Sequence, residues 1–190
     1  MSPHRQTLTL LLSTLINTTT ASECDFEHIK SRNPMGPKFQ PHLDGCKTLH
    51  LYGAMLGDEG ATVLAEALRG HRDLKNLYLS SNNIGDVGAR AIADALRSNR
   101  VITTLYLSGN LITNEGARAL GDALSKGALI ELYLGQNQIG DAGAFAMAAA
   151  LRGPGRLQKA FLTGNPFGRD ANRALQSAAD WAASKTRDEL

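Results

Sequence analysis

The chain has 190 residues, 43% hydrophobic and 20% charged, a composition that suits one unit with a continuous core. Twenty basic residues against 18 acidic leave a net charge of +2, too small a field to point to nucleic acid or an acidic membrane surface as partner. Nineteen glycines against six prolines suggest recurrent tight turns, and aromatics are only 5%, so their positions carry information.

The first 22 residues combine a basic start (His4, Arg5), an apolar run from Leu8 to Ile16 and no acid before Glu23. Thr19 and Ala21 supply the small residues that a signal peptidase needs. The run is far shorter than the roughly 20 residues that cross a bilayer, so no membrane span is expected. Residues 1–22 fit a cleaved secretory signal, with a capping helix or an organelle transit segment as alternatives. Residues 23–45 form an N-terminal cap. Both cysteines lie in it or at its end, spaced as Cys24-x3-His28 and His42-x3-Cys46. In an oxidising compartment Cys24 and Cys46 would form a disulfide; in a reducing one Cys24, His28, His42 and Cys46 have spacings compatible with tetrahedral zinc. A third reading needs neither, because Cys46 holds the apolar position that Leu74 fills one repeat later.

From 46 to 168 the chain repeats itself. A Leu-x-Leu pair recurs as Leu49/Leu51, Leu77/Leu79, Leu105/Leu107, Leu132/Leu134 and a degraded Ala160/Leu162. An apolar residue precedes each pair by three (Cys46, Leu74, Ile102, Leu129, Leu157), and Asn82, Asn110, Asn137 and Asn165 follow by three in the last four units. Alternation at two through Asn76–Ser80 predicts a short strand with Leu77 and Leu79 on one face. Ala89, Ile92, Ala93 and Leu96 then recur at three and four, the stripe of an amphipathic helix. Asp58, Asp86, Asn114 and Asp141 stand at the helix entrances, where a carboxylate or amide serves as N-cap, each followed two residues later by a glycine that allows close packing. The one-residue deletion between Leu124 and Leu129 falls in a return loop and should leave the sheet undisturbed. Each unit is strand, turn, helix. Such a unit buries its apolar edge only by stacking, which gives an α/β solenoid with a parallel sheet inside and helices outside.

These residues resemble the leucine-rich repeat family, L-x-x-L-x-L-x-x-N-x-I/L. The recurring Gly-Asp-x-Gly-Ala-x-x-[LI]-A-x-A-L is similar to the family's ribonuclease-inhibitor-like subtype. The resemblance implies a right-handed β-α superhelix of about five repeats over residues 46–168. It also implies that Asn82, Asn110, Asn137 and Asn165 hydrogen-bond the backbone of their own and neighbouring turns.

The position between the two leucines lies at the centre of the concave face. It holds His50, Tyr78, Tyr106, Tyr133 and Phe161, with Tyr52 beside it. Small or polar residues flank the column: Thr48, Asn76, Thr104, Glu131 and Lys159 on one side, Ser80, Ser108, Gly135 and Thr163 on the other. One explanation is strand propensity, with neighbouring rings stabilising the sheet by about 0.2–1 kcal/mol per pair. The other is a stripe that binds a protein or peptide. Rings bury on the order of 150–250 Å² each, so half coverage of five gives several hundred Å². Tyr106 and Tyr133, near the middle, are the leading contact residues, with Glu131 and Lys159 beside them.

Residues 169–186 form a C-terminal capping helix, with Leu175, Ala178, Ala179 and Ala182 inward and Trp181 covering the open end. Residues 187–190, Arg-Asp-Glu-Leu, resemble the KDEL-type endoplasmic reticulum retention signal. The two ends together favour the secretory pathway or endoplasmic reticulum lumen, with the cytoplasm as the alternative.

No Walker loop, nucleophile elbow or His-Glu-x-x-His motif is present, and the Gly-Asp-x-Gly-Ala segments recur once per unit as architecture requires. The expectation is a non-enzymatic interaction module without a cofactor. The resemblance supplies one alternative: the GTPase-activating protein for Ran uses the same subtype, although with more repeats and an acidic tail, and no arginine here matches theirs. A second is an architectural subunit bound through its convex helices.

Overall fold

The computed structural model describes residues 23–25, 43, 45–125 and 127–188. The first 22 residues, His28, His42 and the last two residues lie outside them. The elements are β1 (Glu23–Asp25), β2 (Thr48–His50), α1 (Gly57–Gly70), β3 (Asn76–Tyr78), α2 (Asp86–Ser98) and β4 (Thr104–Tyr106). They continue as α3 (Asn114–Leu124), β5 (Glu131–Tyr133), α4 (Asp141–Leu151), β6 (Lys159–Phe161) and α5 (Arg169–Asp188). The strands form one parallel sheet in chain order, and each helix packs on the next. This is the α/β solenoid that the repeats predict.

The core is a set of columns. Leu49, Leu77, Leu105 and Leu132 stand in register across the strands, all without measurable exposure. Ile84, Ile112 and Ile139 close the turns, and Leu64, Ile92, Leu120 and Met147 enter from the helices. The shortened unit keeps the Leu105–Leu132 register, so the deletion is absorbed in the return after α3.

Turns so short leave backbone groups that a neighbouring unit must satisfy. The asparagine ladder does this. Asn110 Nδ2 donates to the carbonyls of Leu79 at 3.0 Å and Leu107 at 2.9 Å, while its Oδ1 accepts from Asn82 N–H and Ile84 N–H at 3.0 Å each. Asn82, Asn137 and Asn165 repeat the pattern.

The helix entrances differ from the expectation in one respect. Asp58, Asp86 and Asp141 do not cap their own helices; each reaches across to the unit that follows. Asp58 Oδ1 accepts from Gly85 N–H at 2.7 Å and Gly88 N–H at 2.8 Å, at the start of α2. Asp86 does the same for Thr113 and Gly116, Asn114 for Gly140 and Gly143, and Asp141 for Gly168. Each acid sits in the first turn of its own helix, beside the next helix's free N–H groups. The glycine at the third position of the receiving helix makes room for it: a Cβ at Gly116 would lie 2.6 Å from Asp86 Oδ1. In the fifth unit Arg169 and Ala171 occupy these columns, and the series stops at Asp141.

Three further features were not anticipated. Glu23–Asp25, assigned to the cap, adds a strand that pairs in parallel with β2, and it carries the disulfide expected for an oxidising compartment, Cys24 to Cys46 with Cα atoms 5.7 Å apart. Bonded sulfurs offer no thiolate, so the zinc alternative does not hold for Cys24 and Cys46. His71 and Asn99, 28 residues apart, form a second ladder at the helix exits. Asn99 is buried, and it bonds the Leu68 carbonyl at 2.8 Å and the Ile102 N–H at 3.0 Å. Finally, α5 runs to Asp188, and Trp181 does not cover the open end. It stays 42% exposed, beside the return loop at Gly153–Gln158 and under Lys185.

One turn position is left-handed in every unit: Gly53, Ser81, Gly109, Gln136 and Gly164 all have positive φ. Gln136, at φ 54°, carries the steric cost that glycine avoids. Gln136→Gly should therefore raise stability by about 0.5–1 kcal/mol in urea unfolding. Asn110→Ala should lower it by about 3 kcal/mol, since several buried backbone groups lose their partner, and Asn165→Ala, at a half-buried position, by clearly less.

Candidate functional site

Alternation fixes what the sheet presents. In each of β2–β5 the middle residue is buried and its two neighbours half-exposed on the opposite face. Parallel register then places equal positions side by side: His50 against Tyr78, Tyr78 against Tyr106, Tyr106 against Tyr133, Tyr133 against Phe161. All five rings stack. Centroid distances are 4.4, 4.2, 4.2 and 4.6 Å, with interplanar angles of 19°, 8°, 9° and 14°. Strands in a sheet lie about 4.8 Å apart, so rings closer than that belong to a face curled toward them.

Stacking changes what a partner meets. The flat faces of the inner rings are spent on one another. Ring edges, phenol hydroxyls and the outer face of Phe161 remain, and the contact area is smaller than counting whole rings suggests. Phe161 is 44% exposed. Tyr52 lies in the turn after β2, 72% exposed and outside the stack.

Near the C-terminal end the column acquires charge. Glu131 Oε1 accepts from Lys159 Nζ at 2.7 Å, and Glu131 Oε2 accepts from the Tyr133 hydroxyl at 3.0 Å. The Lys159 hydrogen bond holds the Glu131 carboxyl below the usual carboxylate range. Burial, then the adjoining hydroxyl, pushes the Tyr78, Tyr106 and Tyr133 phenols up, with the Glu131 carboxylate as the hydroxyl's counterpart at Tyr133. The stripe therefore offers neutral hydroxyls and one anchored ion pair. Among the described residues no cluster of three or more His, Cys, Asp or Glu could hold a metal ion, and no helix is long and apolar enough to cross a membrane.

With this geometry in hand, the comparisons are specific about the fold. A leucine-rich repeat family model matches residues 70–93, 98–121 and 129–148, which include Asn82, Asn110 and Asn137 of the ladder. The chain is a leucine-rich repeat protein. Among solved structures, the actin-binding site 2 domain of leiomodin-1 is similar at 24% identity and a TM-score of 0.67, over 86% of this chain and 90% of that one. The tropomodulin C-terminal domain from Caenorhabditis elegans is similar at 16% identity and a TM-score of 0.58, over 70% and 80% respectively. A sequence search among curated proteins finds no match.

The leucine-rich repeat protein thus places His50, Tyr78, Tyr106, Tyr133, Phe161, Glu131 and Lys159 on one surface. Sequence reasoning had neighbouring rings stacking to stabilise the sheet, but not the consequence that stacked rings lose their faces as contact area. Because these phenols ionise later folded than unfolded, their contribution to stability is complete below the ordinary tyrosine value of 10.0 and is lost as pH rises through the folded values. An ultraviolet titration should show tyrosinate forming later in the native protein than in urea, and stability should fall across that window.

Proposed function

We propose that this leucine-rich repeat protein is a non-enzymatic interaction module that binds a protein or peptide along its concave aromatic stripe. The observation that carries the reading is the unbroken stack from His50 to Phe161 on a half-exposed face. Strand propensity explains individual tyrosines but not an aromatic at every unit. A pre-stacked column also gives up little side-chain entropy on binding, because each ring is already held by its neighbours. Its edges carry partial positive charge, and its hydroxyls donate or accept. Complementary partner groups are carbonyls, carboxylates and aromatic faces.

The charged end sets orientation. A partner that meets Glu131 and Lys159 finds both signs within one pair, so a polar segment satisfies them better than a uniformly charged one. The ribonuclease-inhibitor-like subtype is our assignment from the Gly-Asp-x-Gly-Ala spacing.

The leiomodin-1 domain is described as an actin-binding site, which makes actin the first defined protein to test. Wild type and a Tyr78→Ser, Tyr106→Ser, Tyr133→Ser variant, its fold checked by circular dichroism, are compared in cross-linked capture from native extract and in titration with purified actin. Loss of a partner in the folded variant is the expected result, with affinity down about tenfold or more. Equal recovery by both proteins would remove the concave face as the site.

A further inference from the structure

At the C-terminal end of the sheet, β6 has, among the described residues, a strand on one side only. The bonds it makes there show what its other side offers. Leu134 N–H donates to the Phe161 carbonyl at 2.7 Å and Gln136 N–H to the Thr163 carbonyl at 2.9 Å, while the Ile130 carbonyl accepts from Gln158 N–H and Lys159 N–H. One repeat later the equivalent residues are Leu162, Gly164 and Gln158. Among the described residues, the Leu162 and Gly164 N–H groups find no acceptor and the Gln158 carbonyl no donor. Leu162 and Gly164 line a groove of about 460 Å³ that is also walled by Phe161, Phe167, Leu175 and Ala179.

The side chains on this edge are half used. Lys159 holds Glu131 on its inner side while 56% of its side chain remains exposed. Phe161 stacks on Tyr133 with one face, and among the described residues no ring covers the other. Ala160 stands where earlier units have leucine, and it is only half-buried.

We propose that β6 is a strand-addition site that takes an extended segment of a partner protein as a seventh, parallel strand. In register, that segment carries an acidic residue opposite Lys159, an apolar residue opposite Ala160 and an aromatic residue opposite Phe161. The backbone groups supply affinity and the three side chains supply choice of partner. Charge complementarity and continuation of the ring stack select this occupant. A second copy of the chain fits less well: its β1 would offer Glu23 to Lys159 but Asp25, not a ring, to Phe161. The required pattern is the one that β5 presents to β6 on the inner side, Glu131-Leu132-Tyr133.

The probe is therefore a fluorescein-labelled synthetic peptide with the sequence of residues 128–138, added to the full chain and followed by anisotropy. Amide exchange at Leu162 and Gly164 is followed in parallel by NMR. The expected result is saturable binding with exchange at both amides slowed about tenfold or more. Lys159→Glu, an exposed substitution, should weaken the peptide roughly tenfold, through loss of the pair and like-charge repulsion, and a peptide with lysine in place of its glutamate should restore binding. Unchanged exchange at both amides, or indifference to Lys159→Glu, overturns the proposal. So does self-association of the chain alone that Lys159→Glu abolishes, which would assign the edge to a second copy. These amides take no part in the concave-face reading, so either can fail without the other.

Discussion

The structure depends on one rule: each unit satisfies the backbone of its neighbour. A turn between a three-residue strand and a helix is too short to pair all its own N–H and C=O groups, and those that face the core are out of reach of water. Asn82, Asn110 and Asn137, all buried, supply the missing partners from the side-chain amide, which donates and accepts at once. Asp58, Asp86, Asn114 and Asp141 do the same for the following helix entrances, and His71 and Asn99 for the exits. No unit is complete alone. This accounts for cooperation between repeats more directly than apolar burial does, because burial tolerates a slip that these bonds do not.

That rule is also what makes the aromatic column possible. Rings stack at 4.2–4.6 Å only if strand register is held in every unit, and a slip of one residue would send each ring into the core. The ladders lie on the turn side of the sheet and the rings on its open face, so geometry built for folding is available for recognition. A partner contacts a surface already organised, at a cost that folding has met.

Much of this was legible in the sequence. The repeat interval gave strand, turn and helix, the two apolar stripes, the recurrence of the asparagines and the membership of the ring column, because each is a periodic signal with one physical cause; the hydrogen-bonding role of the asparagines was implied by the family resemblance. Less visible were features that need a second unit in space. Asp86 in isolation looks like a cap for its own helix; only the packed pair shows that its carboxylate faces Thr113 and Gly116. Asn99 and His71 differ in residue type, so no column announced them. Trp181 has the composition of a cap and the position of a surface residue, since helical phase at one site is settled by packing against the return loop.

A solenoid whose units complete each other has an incompleteness at its ends, and the two ends here are treated differently. At the N-terminal end, β1 is paired to β2 and tied covalently through Cys24 and Cys46, so the first full repeat has a neighbour that cannot drift away. At the other end the columns change chemistry: leucine becomes Ala160, the helix-entrance acid becomes Arg169, its glycine becomes Ala171. These substitutions end the trans-capping series but leave the strand edge and the last ring open. Closing helix entrances while leaving backbone donors at the sheet edge separates two tasks that other units perform together. The helical layer continues through α5, while β6 keeps an edge at which, among the described residues, no further strand pairs.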